Sequence, residues 1–109
     1  MASPTQRTLS RLRKDGWTCA VVEHWNPYAK VRQDLFGFID VLAIRPGETL
    51  GVQSTTDAHI AERRKKAAKG LLPEWLAAGN RFEVWGWRKG KRGAGAVRIA
   101  AAGMGEGLV

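Results

Sequence analysis

Three side chains in the first half of the chain are of the types that hold a hard cation: Glu23, Asp40 and Gln53. Asp40 falls inside FGFIDVLAIR (36–45), an otherwise apolar run, between Ile39 and Val41. A carboxylate there is costly unless it is paired, hydrogen-bonded or bound to a metal. Glu23 closes the β-rich segment before it, and Gln53 follows Asp40 by 13 positions, beyond a Pro-Gly turn. Neighbouring strands run about 4.8 Å apart, so side chains on one face converge. Two carboxylates and an amide oxygen would form an all-oxygen site suited to magnesium or manganese. Such a cation lowers the pKa of water and neutralises charge building on a phosphate. The competing explanation is an ion pair of Asp40 with Arg32, Arg45 or a helix arginine.

A second constellation is basic. Eighteen Lys and Arg stand against ten Asp and Glu, a net charge of +8 with a pI near 10.4. Most of the excess lies between Glu62 and Arg92, where Arg63, Arg64, Lys65, Lys66, Lys69, Arg81, Arg88, Lys89, Lys91 and Arg92 face only Glu62, Glu74 and Glu83. Arg11 and Lys14 near the N-terminus and Lys30 and Arg32 in the first loop extend the basic set. A small domain so charged fits a polyanion, nucleic acid above all, through phosphate contacts and shape rather than base reading. A solvated helix face would carry the same charges.

The elements that must position these groups are readable from pattern. Residues 4–15 form a helix, with Ser3 as N-cap, Pro4 in the first turn, Leu9 and Leu12 on one face and Gly16 as the stop. Residues 17–25 are a strand, 26–34 a loop, 36–45 a strand covered on both faces and 49–55 its hairpin partner across Pro46-Gly47. Asp57 caps a helix over 58–70, Pro73 opens a second over 73–79, and 81–87 and 96–102 are strands separated by the basic Gly-rich turn 88–95. The order α-β-β-β-α-α-β-β predicts a single α/β domain over 1–109, with a central mixed sheet flanked by helices. Gln53 and Ser54 should face opposite sides of their strand, as should Glu23 and His24. Trp75, Trp85 and Trp87 are expected in the core, whereas Trp25, beside the Asn-Pro loop, is the better wedge or stacking residue.

Composition also excludes. The lone Cys19 allows no internal disulfide and no thiolate zinc cluster, and it suits a small core position in a reducing cytoplasm. No apolar run nears the roughly 18 residues of a membrane span. The N-terminus lacks an apolar leader, so a cytoplasmic protein is expected. His24 and His59 have no partners at zinc-site spacing.

The run VVEHW…RQDLFGFIDVLAIRPGETLGVQST resembles the PD-(D/E)XK, restriction-endonuclease-like nuclease family, closest to small phage and prophage proteins similar to archaeal-type Holliday junction resolvases. SRLRKDGW resembles the start of such a resolvase, and WLAAGNRFEVWGWRK its closing helix and strand. The resemblance implies an α-β-β-β-α-β core and magnesium- or manganese-dependent cleavage of branched or structured DNA. It also implies a homodimer in a bacterial or phage-infected cytoplasm, working in DNA recombination. Asp40 takes the place of the metal-binding Asp, with Ile39 where the motif often has Pro. Glu23 stands in for an acid that many resolvases carry on the first helix, where this chain has Gln6. Gln53 replaces the second acid, and Thr55 replaces the catalytic lysine, a role that Lys66 or its neighbours Lys65 and Lys69 would have to fill. Without such a lysine, the resemblance implies a weak nuclease or a binding domain with a relic site.

Overall fold

The computed structural model describes residues 3–88 and 97–102. Helix α1 (Pro4–Lys14) begins where expected, with the Ser3 Oγ accepting from the Gln6 N–H at 3.2 Å. Basic Arg11, Arg13 and Lys14 occupy its last turn, where they complement the negative end of the helix dipole. Strands β1 (Thr18–Val21), β4 (Val41–Arg45), β5 (Glu48–Thr56), β6 (Arg81–Trp87) and β7 (Val97–Ala102) form one sheet in the order β1-β4-β5-β6-β7. Only β5 and β6 run parallel. A parallel pair needs a long crossover, and a 3₁₀ turn (Asp57–His59), α2 (Ile60–Lys69) and α3 (Leu72–Ala77) supply it.

The sheet is covered on both faces. Leu9 and Leu12 of α1 pack with Val41, Ala43, Val52, Trp85 and Trp87. Ile60, Ala67, Leu72 and Leu76 of α2 and α3 pack on the other face with Ile39, Phe82 and Val84. The approach of α2 is close: a Cβ on Gly86 would stand 2.5 Å from the Ile60 side chain. Trp85 and Trp87 are core residues, as expected, whereas Trp75 and Cys19, also expected in the core, are only partly buried and pack against the α2–α3 and α1 sides. No described helix is long and apolar enough to cross a membrane.

Three boundaries differ from the sequence reading. Residues 17–25 are not one strand. The main-sheet ladder ends with the Val22 N–H donating to the Asp40 carbonyl at 2.9 Å. The chain then leaves the sheet, and β2 (His24–Asn26) pairs with β3 (Val31–Gln33) as a separate hairpin. The expected 26–34 loop is therefore mostly a hairpin. Its turn is fixed by the Asn26 Oδ1, which accepts from the Tyr28 and Ala29 N–H groups at 2.9 and 3.1 Å. The apolar run 36–45 is likewise strand only from Val41. Before it, the Leu35 N–H donates to the Ile39 carbonyl and the chain folds through Phe36 and Gly37, both in the left-handed region at φ 54° and 84°. Phe38 and Ile39 are apolar because they pack against α2 and α3, not because they extend a strand. Asp57 also departs from expectation: it makes no capping bond and lies within the 3₁₀ turn, 3.9 Å from the Arg88 guanidinium.

The β4–β5 hairpin matches its reading, with Arg45 opposite Glu48 and Gly47 at φ 76° in the two-residue turn.

Candidate functional site

Asp40 sits at the threshold of β4, not mid-strand, yet its backbone is stitched on both sides: its N–H donates to the Val52 carbonyl at 3.0 Å and its carbonyl accepts from Val22. That register sets Asp40 across from Gln53, one step beyond the Val41–Val52 pair. The Gln53 Nε2 donates to the Asp40 Oδ2 at 3.1 Å, and the Ser54 N–H donates to both carboxylate oxygens at 3.1 Å. Asp40 is 3% exposed and makes no ion pair among the described residues. Burial, first of all, pushes its carboxyl up to about 7; the Asp34 and Glu23 charges add to the rise, while the Ser54 N–H and the Arg63 charge oppose it.

The α1 face behind this site is fully paired. The Ser54 side chain points away from Gln53, as alternation requires, and hydrogen-bonds the Thr8 hydroxyl at 2.8 Å. The Thr8 Oγ1 also accepts from the Trp87 Nε1 at 2.9 Å. Ser54 thus ties the Asp40 carboxylate to the buried α1 contact.

Of the expected cation ligands, the fold brings Asp40 and Gln53 into direct contact. Glu23 is near enough for its charge to act on Asp40, but its carboxylate pairs with Arg32 at 3.6 Å. Thr55 is buried two positions from Gln53 on the same strand face and pairs in register with Gly86. No group of three His, Cys, Asp or Glu is placed to hold a metal among the described residues. A cation would therefore rest on Asp40 and an amide oxygen from Gln53, which lies in place if its amide turns over. One or two protein oxygens suit magnesium, which keeps several waters.

The alternative of an Asp40 salt bridge is not what the fold makes: Arg32 pairs with Glu23 and Arg45 with Glu48. Two further residues belong to the site: Asp34, which the sequence did not single out, and Arg63, which it placed only among the nucleic-acid-binding cations. Asp34 is recognisable only once the Phe36–Gly37 turn folds it back toward Asp40. Arg63 is the α2 cation whose charge reaches Asp40, and its buried Nε has no hydrogen-bond partner among the described residues. Helical spacing could have found it, since Ile60 and Ala67 flank it on the buried side of α2.

Comparison with known proteins finds no matching family model, curated protein or solved structure.

The basic residues divide among several surfaces. Lys66, one turn beyond Arg63, lines an open cleft of about 460 Å³ with His24, Arg32, Asp34 and Phe36. Lys65 and Lys69 are exposed on α2 and Arg64 is half-buried. Lys30 lies in the hairpin turn at φ 55°. Arg11 and Lys14 belong to α1, across the sheet from Asp40, and Arg11 is tied to Asp15 at 3.4 Å. Lys89, Lys91 and Arg92 lie outside the described residues. Trp25, expected as a wedge or stacking residue, is 55% exposed on β2.

Proposed function

We propose that the protein is a divalent-cation-dependent nuclease for branched or structured DNA, on a restriction-endonuclease-like plan. One observation carries the reading: a buried carboxylate faces an amide across a β-hairpin, beside a cationic helix, with no cation paired to it among the described residues. The order α1-β1-β4-β5-α2-β6, antiparallel up to β5 and then crossing to a parallel strand, agrees with the α-β-β-β-α-β plan. Likeness to archaeal-type Holliday junction resolvases supports a four-way junction as substrate and a homodimer as the working form.

In this reading Asp40 and Gln53 would hold magnesium or manganese, with Glu23 and Asp34 deepening the negative field around them. The cation would neutralise charge building on a phosphodiester. Ser54 fixes the Asp40 carboxylate through its N–H, and Arg63 and Lys66 draw the DNA backbone toward it. A second reading, a DNA-binding domain with a relic site, is favoured by two observations: Gln53 presents its Nε2 rather than its oxygen to Asp40, and Thr55 occupies the position of the motif lysine.

The test is a labelled four-way junction incubated with magnesium or manganese. Cleavage that EDTA abolishes and that Asp40→Ala lowers by about a hundredfold or more supports the nuclease. Binding without cleavage selects the relic site. Absence of binding even at low salt, where phosphate contacts are strongest, removes both readings.

A further inference from the structure

We propose that the cleft between the β2–β3 hairpin and α2 receives one unpaired nucleotide, its base against Phe36 and its phosphate between Arg32 and Lys66. The proposal rests on the nucleic-acid reading and names the feature of the substrate that this part of the site recognises.

Phe36 is the observation that starts it. A bulky residue at φ 54° is a backbone outlier, and such outliers cluster at ligand clamps. The ring is nevertheless 55% exposed, propped from one side by Trp75 at 6.4 Å between centroids. A strained, supported and uncovered aromatic ring is a stacking platform. The cleft it lines, about 460 Å³, is within the roughly 300–1,000 Å³ of small-molecule sites.

Charge orients the occupant. Arg32 and Lys66 are exposed at the rim, whereas Asp34 is half-buried. A phosphate is therefore repelled from the Asp34 side and drawn to the rim. A neutral base can take the interior. Arg32 has only the 3.6 Å pairing with Glu23, and Lys66 makes no ion pair among the described residues, so both are available to a phosphate. A paired base cannot enter, because its ring faces are stacked within the duplex.

The experiment compares affinities in EDTA, by fluorescence anisotropy, for three labelled duplexes: fully paired, with one bulged deoxyadenosine, and with an abasic bulge. Phe36→Gly suits the left-handed backbone and removes the ring. It should weaken binding of the bulged duplex about five- to hundredfold, the range of one base–aromatic stack, and leave the paired duplex within about twofold. The abasic bulge should cost the wild-type protein the same factor and Phe36→Gly nothing further. Phe36→Tyr should keep the preference. Equal losses on paired and bulged duplexes, no loss on either, or an abasic bulge bound as well as the intact one would overturn the cleft and leave the nuclease reading standing. Failure of the wild-type protein to bind any of the three at low salt would overturn both.

Discussion

The two ends of the β4–β5 hairpin treat their acids in opposite ways. At the turn end, Glu48 lies between Arg45, 2.6 Å away, and Arg81, which also holds Glu83 at 3.1 Å. Arg45 further stacks over Trp17 at 4.0 Å. The Arg45 hydrogen bond, foremost, holds the Glu48 carboxyl below its ordinary range. At the open end, Asp40 is buried, receives only uncharged donors and is pushed up to about 7. The chain has basic residues to spare, and yet none of the described ones is paired with this acid. A structural acid is neutralised by its neighbours, and the turn end shows the fold doing so. Asp40 is instead held in shape by neutral donors, with the Arg63 charge as the cation that acts on it.

The largest expected effect breaks this contrast at Asp40. An unfolded aspartate ionises near 3.8 and the folded Asp40 near 7. Between those values the unfolded chain releases a proton that the folded chain keeps. The contribution to stability is complete below about pH 4 and is lost as pH rises to about 7. Three pK units amount to about 4 kcal/mol. Asp40→Asn should remove this slope, since Gln53 can turn its amide to serve the new carboxamide. Urea denaturation at pH 8 should then find the variant more stable than the wild type by up to about 4 kcal/mol. A variant as pH-dependent as the parent would place the titration elsewhere.

The support behind Asp40 is the next target. Thr8→Val leaves the Trp87 Nε1 without its acceptor and frees the Ser54 hydroxyl, and should cost about 1–3 kcal/mol in the same assay. A smaller effect sharpens the electrostatic side. Asp34→Asn should lower the Asp40 midpoint and Arg63→Met should raise it, read by carboxyl NMR titration. Shifts of the same sign would mean that the two charges do not both act on Asp40. The smallest effect belongs to the turn end. Glu48→Gln should leave the slope between about pH 6 and 7 unchanged, since Glu48 is ionised there in both states, and lower the denaturation midpoint slightly, a loss that added salt erases because the network is exposed.

The Asp40–Gln53 pair was legible in the sequence because a two-residue turn fixes hairpin register: Pro46-Gly47 sets Arg45 opposite Glu48, and every pair down to Asp40 and Gln53 follows. The opposed directions of Gln53 and Ser54 follow from the same alternation. The separate hairpin was not legible. Asn26-Pro27 looks the same whether it starts a loop or a tight turn, and the three-residue strands β2 and β3 are too short to show a period. The turn at Phe36–Gly37 was hidden for another reason, since burial against helices and burial within a sheet both select apolar residues.

What the sequence determined by itself is local: capping, turn chemistry, strand alternation, and the excess of cations on and after α2. These depend on neighbours a few positions apart, so the order of residues is enough. Only the tertiary structure decided that Glu23 turns to Arg32, that Arg63 rather than a lysine acts on Asp40, and that Asp34 and Phe36 come to the edge of the site. Those outcomes depend on how α2 and the β2–β3 hairpin pack around the open end of the sheet. Packing couples residues tens of positions apart, and no spacing along the chain encodes it.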